Sequence, residues 1–365
     1  MRAPQWGNLP MTSSIYLDHA ATTPLRPAAA AAMHRGFAMW ANPSSPHQAG
    51  RAARAALENA RERIAKAFDW DGEVIFTSGA SEAAAIAMSR ANATERFVSG
   101  VEHDAVLAAA PGAPRLAVVA EGAVDRERLE AVLARAAQPV VALQWINSET
   151  GNAQNLSALI DSVHAADGLV VCDVAQGAGK YPLPHEVDMA IVSAHKFGGP
   201  IGVGALLVRD FAMLAPDGGH ERGYRRGTEN LPGVIGMAAA LEDCADPYLP
   251  NEIFDELRHL ASAVRNAGGV WFEDRLDAPS ALIHAVAMPK LSGSAQLMRF
   301  DMARIAVSQG SACSSGSLRR SHVLSAMGVD DELADRTIRI SLGWNTTADD
   351  IARFREVWLA MATGG

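Results

Sequence analysis

The sequence predicts an α/β fold built on a mostly parallel sheet. From about residue 50, apolar runs of strand length alternate with helical patterns. Most connections between these runs are long enough to contain a crossover helix, which parallel neighbours require. The pattern changes near residue 251, where a smaller set of strands and helices begins. We therefore predict a large domain over residues 15–250 and a small domain over residues 251–365, with residues 1–14 packing nearby.

Seven strand candidates follow one another in the large domain, each an apolar run bounded by turn residues or helical patterns. They are EVIFTS, RFVSG, RLAVVA, PVVALQWI, GLVVCDV, DMAIVSA and VGALLVR. Helical segments such as GASEAAAIAMSRA, DRERLEAVLARAA and NLSALIDSVHAAD separate most of them. The last connection, HKFGGPIG, is too short for a crossover helix. We therefore expect VGALLVR to run antiparallel to DMAIVSA.

The predicted small domain begins with a long amphipathic helix around NEIFDELRHLASAVRNAG. Four shorter strand candidates follow it, with helices between them. They are GVWFE, ALIHAVAMP, IAVSQG and RTIRISLG. No internal repeat is visible, so we expect two different α/β units.

Length and composition narrow the class of protein. The chain has 365 residues, of which 49% are hydrophobic and 20% charged, as is typical of a globular protein with more than one core. Its net charge of -9 argues against a general nucleic-acid surface and against an anionic membrane face. Three widely spaced cysteines indicate neither a disulfide framework nor a zinc site. With no secretory signal or membrane-spanning pattern, we expect a cytoplasmic protein without nucleic-acid or membrane partners.

Lys196 follows an apolar strand in DMAIVSAHKFGGP, at the carboxyl end where α/β sheets build their sites. It is either a solvated charge or a lysine that forms a Schiff base with pyridoxal phosphate. That cofactor needs a carboxylate beside its ring nitrogen, and Asp173 ends the preceding strand. A role for Asp173 in capping the next turn stays open. Gln176 is close enough in sequence to reach the phenolic oxygen of the same ring.

A phosphate site is predicted where EVIFTSGASEAAAIAM passes from strand through glycine to helix. The backbone N–H groups of Gly79, Ala80 and Ser81 would open that helix, and a helix amino terminus attracts anions. Ser193 and His195, on either side of the same strand end as Lys196, are candidates for further hydrogen bonds to the phosphate. An ordinary helix start has the same pattern, so both interpretations remain open.

Three more residues are candidates for the reaction itself. His103 follows the strand RFVSG and would supply an imidazole face above the ring, with a purely structural histidine as the alternative. Arg339 alternates with apolar residues in RTIRISLG, so it faces inward and needs an anion there. A substrate carboxylate or an aspartate of the protein itself would serve. Cys313 lies among serine and glycine residues in SQGSACSSGSLRRS, where an exposed reactive thiol is one interpretation.

As a set, these motifs resemble those of the pyridoxal phosphate dependent cysteine desulfurases of the class V aminotransferase group. The resemblance covers nearly the whole chain and is carried by YLDHAATTPLRP, NPSSPHQAGR, FTSGASEA, VEHDAVL, INSETG, DVAQGAGK, SAHKFGGPIGVGAL, GGHERGYRRGTENLPG, SQGSACSSGSL and IRISLG. It implies fold type I, with a mixed seven-stranded sheet in the large domain. It also implies a homodimer that transfers sulfur from L-cysteine to an acceptor protein, with the cofactor sites at the subunit boundary.

The resemblance implies a role for each matching residue. The implied cofactor contacts are Lys196 as the Schiff-base lysine, Asp173, Gln176, His103, Ala80, Ser81, Ser193 and His195, with Thr228 lent by the other subunit. Arg339 matches the arginine that binds the substrate carboxylate, and Cys313 matches the nucleophile that carries the persulfide. The family commonly has two asparagines where this chain has Asn147 and Ser148. The contact of the second asparagine with cofactor and substrate would then be weaker, mediated by water or taken over by Asn147.

Other functions remain open at this level. A class V aminotransferase would share the lysine, the aspartate and the phosphate loop but would have no use for Cys313. A selenocysteine lyase would differ only in the element that it removes. A noncatalytic scaffold is a third alternative, against which the presence of Lys196, Asp173 and Arg339 together argues. The acceptor remains equally open among iron–sulfur assembly, tRNA thiolation and a dedicated pathway.

Overall fold

A computed structural model describes residues 14–244, 247–310 and 320–364. The strands are β1 (Ile15–Tyr16), β2 (Glu73–Thr77), β3 (Glu95–Ser99), β4 (Arg115–Leu116), β5 (Pro139–Gln144), β6 (Leu169–Asp173), β7 (Met189–Ser193), β8 (Gly204–Val208), β9 (Val270–Trp271), β10 (Ile283–Ala287), β11 (Ile305–Ala306) and β12 (Thr337–Ser341). The α-helices are α1 (Pro27–Phe37), α2 (Gln48–Ala67), α3 (Ala80–Arg90), α4 (Asp104–Ala109), α5 (Arg126–Leu133), α6 (Leu156–Ala165), α7 (Leu231–Glu242), α8 (Asn251–Asn266), α9 (Gly293–Met302), α10 (His322–Ala326), α11 (Asp331–Asp335) and α12 (Ala348–Thr363).

Seven strands form the central sheet, in the order β2-β8-β7-β6-β5-β3-β4. β8 is antiparallel to both of its neighbours, β2 and β7, and the other pairs are parallel. The prediction of an α/β fold with a mixed, mostly parallel seven-stranded sheet is therefore confirmed. The direction of β8 has the expected cause, since the connection from β7 is too short to return the chain through a helix.

Helices cover both faces of the sheet, and alternate residues of each strand pack toward opposite faces. On β7, Ala190 and Val192 belong to the core that α2, α6 and α7 complete. Met189 and Ile191 belong to the core on the other face, with α3 and α4. The strands β5 to β8 are buried over nearly their whole length, as their continuous apolar sequences require.

Two glycines let β8 pass close to the start of α3. A Cβ at Gly204 would lie 2.5 Å from the Val192 oxygen and 2.8 Å from the Gly79 Cα. Gly79 itself, which precedes α3, has a φ of 147°, a conformation that residues with a side chain rarely adopt. These glycines therefore hold the amino end of α3 at the edge of the sheet.

The carboxyl-terminal elements form a second core. β12, β10 and β9 make an antiparallel sheet, against which Phe354 and Trp358 of α12 are fully buried. β1 pairs in parallel with β11, and Leu17 packs into the same core. The first described residues thus lie beside the carboxyl-terminal elements. The domain boundary near residue 251 stays a prediction.

Two cysteines lie within the described residues, and both are free thiols. Burial raises the pKa of Cys172 and Cys244, so neither is a ready nucleophile near neutral pH. Cys313 lies in residues 311–319, outside the described residues. No helix in the described ranges is both long and apolar enough to cross a bilayer.

Candidate active site

Five strands of the central sheet, β2, β3, β5, β6 and β7, end at one edge, because they all run in the same direction. The residues that follow or end them are Gly79, His103, Ser148, Asp173 and Lys196. The carboxyl edge of a parallel sheet is the usual place for a site, since the loops leaving the strands converge there. Residues distant in sequence are thereby brought together.

A cavity of about 430 Å³ lies at this edge of the sheet. Ten of the predicted site residues line it: Gly79, Ala80, Ser81, His103, Ser148, Asp173, Gln176, Ser193, His195 and Lys196. Ala21, Gln144 and Ile201 also border it, although the sequence did not single them out. We call this space the sheet-edge cavity. Within the described residues, three predicted site residues do not line it: Asn147, Thr228 and Arg339.

Lys196 ends a short 3-10 turn, Ala194–Lys196, that continues β7. Its Nζ donates to the backbone oxygens of Ala20, at 2.6 Å, and Ala21, at 2.9 Å. These carbonyls belong to the motif YLDHAATT near the amino terminus. The first described residues therefore hold the amine at the cavity.

A second lysine, Lys180, and the imidazole of His195 lie near Lys196. Lys180 is buried nearby, and burial, followed by the charge of Lys196, lowers its pKa to about 7. Burial and the charges of Lys196 and Lys180 lower the pKa of His195 to about 4. His195 is therefore neutral at pH 7, and its Nδ1 lies 3.1 Å from the Thr22 hydroxyl.

Asp173 ends β6 and is buried beneath the cavity. One of its oxygens, Oδ1, accepts the Ala175 N–H at 2.9 Å, so the turn-capping interpretation describes part of its role. Burial raises the pKa of this carboxyl, against the opposing effects of the Ala175 N–H, His103 and Lys196. A cationic group bound above it would favour the ionised form.

His103 caps the amino end of α4 and accepts the Ala105 N–H at its Nδ1, at 3.1 Å. In the neutral ring the proton must then lie on Nε2. His103 therefore has a structural role as a helix cap and also lines the cavity. The cap fixes the ring, which borders the cavity.

The amino end of α3 forms another part of the cavity wall. The first N–H groups of a helix have no partner within it, so Ala80 and Ser81 offer donors to an anion. A Cβ at Gly79 would meet nothing within 4 Å, so the space above it is open. Glu82 also borders the cavity, but it accepts the Ser78 N–H and lies 3.3 Å from Arg225. Arg225 therefore compensates this negative charge.

Arg339 is only 1% exposed and lies outside the sheet-edge cavity. Its Nη2 donates to Asp18 Oδ1 at 2.7 Å, which is the ion pair with the protein's own aspartate that the sequence left open. Its Nη1 donates to the Ser148 oxygen at 2.8 Å, and its Nε has no partner among the described residues. Since Ser148 lines the cavity, Arg339 reaches that cavity's wall through a backbone oxygen.

Comparison with known proteins places this site in a family. The model of the class-V aminotransferase family matches residues 15–354. A cysteine desulfurase of Cereibacter sphaeroides is 38% identical over 94% of this chain and 94% of its own length. The chain belongs to the class-V aminotransferases and, within them, to the cysteine desulfurases.

Solved structures agree with this membership. A NifS-like protein superposes with a TM-score of 0.87 at 29% identity, over 97% of this chain and 100% of its own. A NifS-like protein from Rickettsia africae gives 0.86 at 28% identity, over 97% and 100%. The predicted family, fold and enzyme class of this cysteine desulfurase are thereby confirmed.

Asn147 and Ser148, where the family commonly has two asparagines, have different surroundings in this desulfurase. Asn147 makes hydrogen bonds to the protein through both ends of its side-chain amide. The amide nitrogen donates to Val101 O and Gln144 Oε1. The amide oxygen accepts from the N–H groups of Glu149 and Thr150. It therefore shapes the turn and has no amide atom left over for a substrate. Ser148, not Asn147, is the residue that lines the cavity.

The remaining predicted residue, Thr228, is exposed and lies away from the sheet-edge cavity of its own chain. Residues that the desulfurase sequence did not reveal are the carbonyls of Ala20 and Ala21, the ion-pair partner Asp18 and the buried Lys180. The only signal for the first three was the motif YLDHAATT, which carried the family resemblance without a chemical role. Lys180 ends the motif DVAQGAGK, and nothing in that motif indicated that its side chain is buried.

Proposed function

We propose that this cysteine desulfurase uses pyridoxal phosphate to convert L-cysteine to L-alanine and passes the sulfur to Cys313 as a persulfide. The observation that carries the proposal is the convergence of Lys196, Asp173 and the amino end of α3 on one cavity. An amine, a buried carboxylate and an anion site are the three groups that this cofactor requires.

The residues of the cavity fit the cofactor. Gln176 donates from Nε2 to the Ala20 oxygen at 2.9 Å, while its buried Oε1 has no partner among the described residues. That atom and the open space above Gly79 are features that a polar, phosphate-bearing ligand would complete. When bound, the cofactor supplies an electron sink for bond breaking at the substrate Cα.

Each residue that lines the cavity would then contact a particular part of the cofactor. Gly79, Ala80 and Ser81 would hold the phosphate, with Ser193 and His195 beside them. Asp173 would pair with the ring nitrogen, His103 would cover the ring face, and Gln176 would lie at the phenolic oxygen. Lys196 would hold the cofactor covalently and, once released, move the proton of the substrate Cα.

Arg339 binds the substrate carboxylate in this proposal. Its Nε is buried and unpaired within the described residues, so one donor is available without breaking the pair with Asp18. Its backbone contact at Ser148 places the guanidinium against the wall of the cavity. Ser148 is too short to repeat the contact of the family's second asparagine directly, which leaves Arg339 as the principal anchor.

The sulfur transfer joins the substrate sulfur to Cys313, and the electron sink that the bound cofactor would supply makes the loss of sulfur from Cβ possible. The Cys313 thiolate attacks the sulfur of the substrate, an S–S bond forms and the Cβ–S bond breaks. The electron pair of the broken bond stays on Cβ, which takes up a proton, so cysteine and a thiol become alanine and a persulfide. The proton that Cys313 gives up balances the one that Cβ gains. We assign the transfer of this proton to His103, which borders the sheet-edge cavity and in its neutral form carries a proton on Nε2.

The experiment measures the visible absorbance of the purified enzyme, and then alanine and sulfide after addition of L-cysteine and a thiol reductant. We expect Cys313→Ala to keep the absorbance and its change with L-cysteine but to lose sulfide release. Cys244→Ala, which removes a partly buried thiol, is the matched control and should remain active. Unchanged sulfide release by Cys313→Ala would refute the nucleophile role, and the same assay with L-selenocysteine or a keto acid tests the other activities.

The same proposal includes a cytoplasmic homodimer in which Thr228 contacts the phosphate of the neighbouring subunit's site. Its support is that Thr228 is exposed and does not line the sheet-edge cavity of its own chain. A sulfur-acceptor protein would then take the persulfide. Light scattering should give twice the chain mass of 38.5 kDa, and a monomer with full activity would contradict this arrangement.

A further inference from the structure

Glu149 is a buried acid directly after a residue of the sheet-edge cavity. It is 8% exposed and follows Ser148, which lines that cavity. Its backbone is fixed, because Asn147 Oδ1 accepts the N–H groups of Glu149 and Thr150, both at 2.9 Å. The position of the Glu149 side chain is therefore set by the same turn that presents Ser148.

The Glu149 carboxylate contacts two residues of the carboxyl-terminal part. Ser321 Oγ donates to Oε2 at 2.5 Å, and both side chains are buried. Gly310 packs against the same carboxylate so closely that a Cβ there would overlap Oε2 and lie 2.9 Å from Cδ. A single side chain thus touches two residues that are eleven positions apart, and a larger residue at Gly310 would displace the Glu149 carboxylate.

These two residues flank residues 311–319, which include Cys313. On the amino side, Ser308 exchanges backbone hydrogen bonds with Arg339, at 2.6 Å and 3.2 Å, and Gly310 follows shortly after. On the carboxyl side, Ser321 caps α10 by accepting the Leu324 N–H at 3.0 Å. Glu149, Gly310, Ser321 and Arg339 line a common cavity of about 260 Å³.

We propose that Glu149 is a positioning residue that fixes both ends of the segment bearing Cys313 beside the substrate-binding Arg339. The inference rests on the proposed role of Cys313. A fixed distance between Gly310 and Ser321 lowers the conformational entropy that is lost when Cys313 meets the substrate sulfur. Glu149 does not line the sheet-edge cavity, so its removal should slow sulfur transfer and leave cofactor binding unchanged.

The decisive variants are Glu149→Ala, which removes the contact, and Glu149→Gln, whose side-chain oxygen still accepts the Ser321 hydroxyl. We expect Glu149→Ala to bind cofactor normally and to keep the absorbance change with L-cysteine and the KM for L-cysteine. Its single-turnover rate of sulfur transfer to Cys313, followed as the added mass of one sulfur atom, should fall about tenfold or more. Glu149→Gln should recover most of that rate.

A comparison of double variants separates positioning from general destabilisation. Gly310→Ala should slow sulfur transfer, because its methyl group displaces the carboxylate, and combining it with Glu149→Ala should slow it no further. Ser321→Ala should behave like Glu149→Ala, whereas Thr347→Ala, which removes the exposed threonine cap of α12, is the matched control and should transfer sulfur at the wild-type rate. Independent, multiplying losses would overturn the inference.

Failure of this inference differs from failure of the proposed function. Wild-type sulfur transfer by Glu149→Ala, with no transfer by Cys313→Ala, would overturn the role of Glu149 and leave the nucleophile in place. Sulfide release that persists in Cys313→Ala would refute the nucleophile role on which the inference rests. A Glu149→Ala enzyme that loses its absorbance change with L-cysteine would also overturn it, because the defect would then precede sulfur transfer.

Discussion

Lys180 is expected to destabilise the folded enzyme, and replacing it by methionine should stabilise it. The side chain is 9% exposed, and its burial is the main reason why its pKa falls from 10.5 to about 7. A change of one in pKa equals about 1.4 kcal/mol, so this difference corresponds to roughly 5 kcal/mol of unfolding free energy. Methionine keeps the aliphatic length of lysine without the amine.

The lowered pKa of Lys180 makes the stability of the enzyme depend on pH. Between pH 7 and about 10.5 the unfolded chain binds more protons at Lys180 than the folded chain, so the stability of the wild-type enzyme rises with pH in this window. The penalty is complete below pH 7 and disappears above about pH 10.5. The stabilisation by Lys180→Met should therefore be greatest at pH 6.5, at about 2 to 5 kcal/mol, and should shrink toward pH 10.

Urea unfolding of the holoenzyme at pH 6.5, 8 and 9.5 measures this difference. Lys290→Met is the matched control, because Lys290 is exposed and its replacement should change the unfolding free energy by no more than about 0.5 kcal/mol at each pH. A Lys180→Met enzyme that is less stable than the wild type at pH 6.5 would refute the reasoning. So would a stabilisation that stays constant up to pH 9.5.

Two further predictions concern backbone conformation and a buried ion pair. Gly79→Ala should lower the free energy of unfolding in urea by about 1 to 3 kcal/mol, because alanine is strained at a φ of 147° although its Cβ meets nothing; an unchanged free energy of unfolding would contradict this. Glu221→Met should lower the unfolding free energy by about 3 to 5 kcal/mol, since Glu221 accepts from Arg61 at 2.7 Å and 3.0 Å in a buried pair. Its control, Glu242→Met, breaks the exposed pair with Arg63 and should cost about 1 kcal/mol or less.

Much of the site could be predicted because parallel strands place their ends together. The apolar run before Lys196 and the run that ends at Asp173 were recognisable as strands, and β6 and β7 are parallel neighbours. Gly79, which precedes α3, indicated the third part of the cavity wall. Once the order of strands and helices was known, the rule that loops meet at the carboxyl edge was enough to bring these residues together.

The partners of the polar side chains could not be predicted in the same way. Arg339 was expected to need an anion, but nothing near it in sequence indicates Asp18, which lies 321 positions away. Asn147 was one candidate to take over the contact of the family's second asparagine, but its turn uses both ends of its amide. Such contacts depend on which distant segments meet, and local patterns do not record that.

The sequence by itself determined the α/β fold, the strand directions and the grouping of Lys196, Asp173 and the α3 amino end, because hydrophobic periodicity and connection length act locally along the chain. Only the tertiary structure decided that Lys180 is buried, that Arg339 pairs with Asp18 and that Glu149 joins Gly310 to Ser321. The physical reason is that burial and pairing of charges are properties of packed surfaces, made by residues far apart in the chain.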